Sequence, residues 1–184
     1  MRILVVTGAS GAGKTATVQA LDARCIPGVR CFYFDSIGVP TAEVMERDYG
    51  GAEQWQASAT GEWLTQLGRL AADIRVAVLD GQMRPSFAFG AAARARPREV
   101  HVALLDCSSD VRGARLRGSR QQPEFADARM DQWAAYLRGQ ADAFNLVVLD
   151  TTRLSVEEAA NQLEDVVRHL IEPDSPTAIH TSAA

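Results

Sequence analysis

The sequence predicts an α/β fold of three layers, with a five-stranded parallel sheet between two layers of helices. Three observations predict it. Apolar runs of strand length alternate with helical stretches, the order that builds parallel sheets through crossover helices. The runs are continuously apolar rather than alternating, as in strands covered on both faces. Four of them end in aspartate, at Asp35, Asp80, Asp106 and Asp150. In such sheets ligands gather beyond the carboxyl ends of the strands.

Arg2-Ile-Leu-Val-Val-Thr7 reads as the first strand, and the residues from Ala16 to Arg24 as the first helix. Pro27-Gly28 turns the chain into a second strand, Cys31-Phe-Tyr-Phe34, which ends at Asp35. Thr41 caps a short helix running toward Tyr49, and Gly50-Gly51 breaks it. The next helical stretch carries Trp63, Leu67, Leu70 and Ile74 on one face. Arg75-Val-Ala-Val-Leu79 is the third strand, and Pro85 suits the first turn of the helix after it. Val100-His-Val-Ala-Leu-Leu105 is the fourth strand, followed by a helix capped by Ser108 or Ser109. That helix carries Arg112, Arg115 and Arg117, of which Arg112 and Arg117 read as surface residues. Gly118 to Pro123 is polar and mobile in character. A helix with Met130, Trp133, Leu137 and Phe144 leads to the fifth strand, Leu146-Val-Val-Leu149. Ser155-Val-Glu-Glu158 is a capping box opening the last helix, whose apolar face is Val156, Leu163, Val167 and Leu170. Pro173 stops it, and the Ser/Pro/Thr/Ala-rich tail over 173–184 reads as disordered.

Between the first strand and first helix stands Gly8-Ala-Ser-Gly-Ala-Gly-Lys-Thr15, a phosphate-binding P-loop pattern in the strand–loop–helix setting that pattern requires. Its glycines let the backbone wrap an anion with N–H groups aimed inward, and the helix adds the positive end of its dipole. The nucleotide-binding candidates are Gly8, Ser10, Gly11, Ala12, Gly13, Lys14, Thr15 and Ala16. Lys14 would reach the outer phosphates and the Thr15 hydroxyl would hold Mg²⁺. Lys14 is the only lysine in the chain; every other basic side chain of the Lys/Arg pair is arginine. A position that keeps lysine against that bias calls for a compact ammonium rather than a planar fork.

Composition narrows the class. At 184 residues the chain is one domain over 1–172, and 47% hydrophobic content builds a sizeable core. A net charge of -4 gives no support to nucleic-acid or membrane-surface binding. Cys25, Cys31 and Cys107 have no metal-ligand spacing, and their odd number suits a reducing, cytoplasmic compartment. No apolar run approaches the ~20 residues of a membrane span. Trp55 and Trp63 at helical spacing read as core, and His101 as a core or edge residue.

Four aspartates and a triphosphate at one sheet edge would repel one another, so the aspartates divide in role. Asp106 precedes a serine cap and Asp150 a loop, which suits structural work. Asp35 and Asp80 remain for chemistry.

These segments resemble the small P-loop kinases: nucleoside monophosphate kinases, shikimate and gluconate kinases, and chloramphenicol phosphotransferase. The resemblance runs from the first strand to the last helix but is specific in patches. Leu79-Asp-Gly-Gln-Met-Arg84 looks like the Leu-Asp-Gly-Phe-Pro-Arg segment of adenylate kinases and departs from it at Gln82-Met83. It implies that Asp80 lies at the metal and that Arg84 binds the acceptor's anion. Phe34-Asp-Ser-Ile37 and Leu149-Asp-Thr-Thr152 look like segments of chloramphenicol phosphotransferase. They imply Asp35 as base for the acceptor hydroxyl, at the end of the strand beside the P-loop strand, and Thr152 beside the nucleotide base. Arg115-Leu-Arg-Gly-Ser-Arg120 resembles the arginine-bearing lid of the group, with Arg115 and Arg120 matching best. The resemblance implies an acceptor lobe over about 36–74, a short lid over about 115–125, and a monomer or homodimer.

The expected activity is transfer of the γ-phosphoryl group of ATP, with Mg²⁺, to a hydroxyl or phosphate of a small molecule. Lys14, Arg115 and Arg120 would supply charge, and Asp35 would orient and deprotonate the acceptor. Arg84 points to an anionic acceptor; the Asp-Ser-Ile segment points to a neutral one. The competing expectation is a regulatory ATPase or switch without an acceptor. The stretch from Ser36 to Ile74 discriminates, because a kinase needs an acceptor-binding insertion there and a switch needs only a loop.

Overall fold

The computed structural model describes residues 1–94 and 99–172, so the expected disordered tail over 173–184 lies outside the described residues. Five parallel strands form one sheet: β1 (Arg2–Thr7), β2 (Val29–Tyr33), β3 (Val76–Asp80), β4 (Val100–Asp106) and β5 (Val147–Asp150). Their order across the sheet is β2-β3-β1-β4-β5. The P-loop strand β1 therefore sits centrally, between β3 and β4. β2 is an edge strand paired with β3, so the expectation that Asp35 follows a direct neighbour of β1 is incorrect. Local sequence does not encode this order; it is set by which crossovers pack.

The helices are α1 (Lys14–Asp22), α2 (Ala42–Tyr49), α3 (Ala52–Leu67), α4 (Pro85–Arg94), α5 (Ser109–Arg117), α6 (Ala128–Ala143) and α7 (Val156–Ile171). Alternate residues of each strand feed opposite faces of the sheet. Ile3, Val5, Ala77 and Leu79 join Trp55, Trp63, Leu64 and Leu67 of α3 in one core. Leu4, Val6, Val76 and Val78 join Val18 and Leu21 of α1 and Leu163 and Val167 of α7 in the other. Leu104 packs on Leu137 and Ala141 of α6.

Local signals place the caps. Thr41, Ser108 and Asp127 each accept a backbone N–H at a helix start. Ser155 and Glu158 form a reciprocal capping box on α7.

Four expectations are corrected. α3 ends at Leu67, because tighter turns through Gly68 and Arg69 take over; Leu70 and Ile74 lie past it on the way to β3. Val156 is 48% exposed: it shares a face with Leu163 and Val167, but as the first residue of α7 it lies past the end of their core, at the rim of a cavity. Phe144 caps the end of α6 and is largely exposed. Arg112 is not a surface residue: it is 5% exposed, donating to Cys107 O at 3.0 Å and to Asp131 Oδ1 at 2.5 Å.

Candidate active site

The carboxyl ends of β1 and β3 are joined by Thr7. Its hydroxyl donates to Met83 O at 2.6 Å and accepts the Met83 N–H at 3.2 Å. Gly8 follows, packed so closely on β4 that a Cβ there would stand 2.2 Å from Leu105 O. Any side chain at Gly8 would push the loop off the sheet. Lys14 opens α1 and is only 6% exposed, with its ammonium donating to Ala9 O at 3.1 Å. Burial pushes its pKa down to about 8. The Asp80 and Asp35 carboxylates oppose that shift and the Arg120 guanidinium adds to it.

Asp80 closes β3 and is 5% exposed. Burial raises its pKa, against the pull of Lys14 and a hydrogen bond from the Thr15 hydroxyl. Its Oδ1 has no hydrogen-bond partner among the described residues. An unpartnered buried carboxylate oxygen is costly unless something else meets it. With the Thr15 hydroxyl beside it, the pair fits a divalent cation that keeps most of its ligands as water and phosphate oxygen. Among the described residues no cluster of His, Cys, Asp or Glu would hold a metal by protein ligands alone.

Asp35 lies in the short 3-10 turn Phe34–Ile37 after β2 and is exposed. That turn reaches the site because Gly81 has no side chain: a Cβ there would stand 2.4 Å from Phe34 Cβ. Asp35 is close enough to perturb both Lys14 and Asp80. Behind the turn, Trp63 Nε1–H donates to Phe34 O at 3.0 Å and Trp55 meets the Phe34 ring edge-on at 5.9 Å. Both tryptophans are core, as expected, and brace the turn that carries Asp35.

On the other flank a cavity of about 350 Å³ is lined by Gly11, Gly13, Ala16, Arg115, Arg120 and Val156, among others. Arg115 is anchored: Nη1 donates to Thr151 Oγ1 at 3.0 Å and Nη2 to Thr151 O at 2.7 Å. Thr151 is buried and its hydroxyl donates to Ala12 O at 2.8 Å. Thr152 faces elsewhere, its hydroxyl accepting the Ser108 N–H at 3.0 Å. Thr151 is thus the residue of this loop that touches the P-loop. Arg120 is exposed, tied by its N–H to Arg115 O at 3.1 Å. As expected, Asp106 and Asp150 hold loops, accepting the Cys107 and Thr152 N–H groups at 2.9 and 2.8 Å.

Ser10 and Arg84 are linked through Gln82 and through Gln56, which no motif marks. The Ser10 hydroxyl donates to Gln82 Oε1 at 3.0 Å. Gln56 of α3 donates to Gln82 O at 2.8 Å and accepts Arg84 Nη1 at 2.8 Å. Arg84 also pairs with Glu53 at 3.1 Å. The departure at Gln82 was the one sequence signal of this network.

No protein-family profile and no curated protein sequence matches the chain. Solved structures do match in fold. The tunicamycin resistance protein of Deinococcus radiodurans superposes with a TM-score of 0.64 at 21% identity, over 90% of this chain and 95% of that one. Shikimate kinase from Acinetobacter baumannii, solved with shikimate, gives 0.60 at 15% identity, over 91% and 92%. A gluconokinase from Sinorhizobium meliloti gives 0.54 at 17% identity, over 94% and 97%. The chain shares the fold of these proteins over nearly its whole length.

Proposed function

We propose that the protein is a phosphotransferase that moves the γ-phosphoryl group of ATP to a hydroxyl or phosphate of a small molecule. The observation that carries this is the buried pair at the sheet edge: Lys14 held inside the loop beside Asp80, whose Oδ1 has no partner among the described residues. The kinases matched in fold support it, as do α2 and α3, which fill the stretch between β2 and β3 with packed helices rather than a bare loop.

In this reading the P-loop amides and the start of α1 hold the β- and γ-phosphates. Triphosphate binding restores full charge to Lys14, which then neutralises the charge developing on the transferred group. Mg²⁺ would sit at Thr15 and Asp80 and supply further charge neutralisation between the phosphates. Arg115, Arg120, Leu154 and Val156 line the cavity beside the P-loop, where the base would lie and where Arg120 would meet the triphosphate. Asp35 accepts the acceptor's hydroxyl proton as the new O–P bond forms and the bond to the ADP oxygen breaks. Arg84 lies on the acceptor side. The protein acts in the cytoplasm as a monomer or homodimer. No helix among the described residues is long and apolar enough to cross a membrane.

ATP consumption screened against hydroxylated metabolites, nucleotides and antibiotics, with products identified by mass, tests the reading. Acceptor-dependent consumption is expected, and Asp35→Asn should lower it about 10²–10⁴-fold with ATP affinity nearly unchanged. Hydrolysis that no acceptor accelerates, and that Asp35→Asn lowers equally, would identify a switch ATPase instead.

A further inference from the structure

The acceptor side carries a cation whose charge is already met. Arg84 Nη2 donates to Glu53 Oε2 at 3.1 Å and Nη1 to Gln56 Oε1 at 2.8 Å. Its guanidinium carbon lies 4.9 Å from the Trp133 ring centre, 5.2 Å from Phe87 and 5.8 Å from Tyr136. The side chain is only 19% exposed. Gln56 and Gln82 connect this arginine to Ser10 of the P-loop, so it belongs to the site rather than to the outer surface.

Charge decides what this arrangement accepts. Glu53 and Asp35 are both negative and Arg84 alone is positive among these three. A carboxylate or phosphate on the acceptor has two ways in. It displaces Glu53 and leaves that carboxylate without its partner, or it stands beside Glu53 and is repelled. A hydroxyl compound without charge meets neither cost. The aromatic groups packed around Arg84 have apolar surface to offer it.

We propose that the acceptor is an uncharged hydroxyl compound with an apolar face, and that Glu53 is the specificity-determining residue that closes Arg84 to anionic acceptors. This rests on the phosphotransferase reading above and narrows it.

Matched acceptors test it with Mg-ATP and the full chain: glucose against glucuronate, uridine against its 5′-monophosphate, and shikimate methyl ester against shikimate. Turnover is expected for the uncharged members. Glu53→Gln should raise the anionic-to-uncharged ratio of kcat/KM up to about fivefold, the scale of one solvent-exposed charge pair, since Glu53 is 61% exposed. A wild-type preference for the anionic members that Arg84→Met removes would overturn the proposal.

A binding measurement separates this from the parent reading. Inorganic phosphate is titrated into protein saturated with a nonhydrolysable Mg-ATP analogue, with tryptophan fluorescence as the readout because Trp133 lies on Arg84. Wild type should show no saturable response at millimolar phosphate, Glu53→Gln should show one, and adding Arg84→Met should abolish it. A saturable wild-type response that needs Arg84 overturns the proposal even without turnover. Failure of the parent reading appears elsewhere, as a protein that binds no nucleotide or consumes ATP without regard to any acceptor.

Discussion

At the scale of single residues, burying the Lys14 charge costs stability. Its folded pKa of about 8 lies below its ordinary 10.5, so the native state buries a charge it would rather shed. The shift corresponds to roughly 3 kcal/mol of lost stability. The sign follows from proton counts. Below pH 8 both states are protonated and the cost is fully present. Between 8 and 10.5 only the unfolded chain holds the proton, so stability rises with pH. Lys14→Met is therefore expected to melt higher than wild type without ligand at pH 7 and to bind no ATP. The difference in melting between the two proteins should shrink toward pH 10. Taking the difference cancels Cys31 and Tyr33, whose raised pKa values affect both proteins alike. Parallel thermal melts across pH, with calorimetric ATP titrations, check this; a Lys14→Met protein that melts lower at pH 7 refutes the buried-charge account. Lys14 and Gly8 were legible because a motif encodes them locally. Thr151, Arg112 and Glu53 were not, because their partners are distant: Thr151 meets Ala12 139 positions away.

At the scale of elements, what the sequence states within one turn was legible and what depends on packing was not. The capping box at Ser155 and the caps at Thr41 and Ser108 are local hydrogen bonds between residues three apart. The end of α3 and the exposure of Val156 in the first turn of α7 depend on neighbours the periodicity does not name. The proposed lid divides in the same way. Arg115 is docked on Thr151 and Gly11, while Arg117 through Gln121 are exposed. An anchored root with a solvated tip should order in two parts. Hydrogen exchange is expected to be slow around Arg115 in the free protein. On adding a nonhydrolysable ATP analogue it should slow further only over 118–122. Equal protection of that tip with and without nucleotide would remove it from the lid.

At the scale of the whole molecule, the parallel α/β class was legible, since continuous apolar strands and intervening helices leave few alternatives. The strand order was not, and it moves Asp35 from the end of a strand beside β1 to a turn after the edge strand β2. The consequence is a site assembled from both halves of the sheet edge. β1 and β3 hold the Lys14–Asp80 pair, the turn after β2 brings Asp35, and the loop after β5 brings Thr151.

Among the described residues this edge is poorly compensated, with a lysine pushed down, a carboxylate pushed up and one oxygen unpartnered. Ligand should therefore stabilise the entire domain and not only the loop. At a hundredfold excess over Kd, binding contributes about 2.7 kcal/mol, a rise in Tm of about 5–10 °C for a chain of this size. That rise is expected with a nonhydrolysable ATP analogue plus Mg²⁺ and should be much smaller with the analogue and a chelator. Asp80→Asn keeps the side-chain shape but removes the charge. It should melt at or above wild type when free, because a buried carboxylate is gone, and should lose most of the Mg²⁺-dependent part of the rise. Differential scanning fluorimetry over a magnesium series reads all three. If Asp80→Asn keeps the full magnesium-dependent rise, the unpartnered oxygen is not a cation ligand, and Asp80 serves only to hold Lys14 and Thr15 in place.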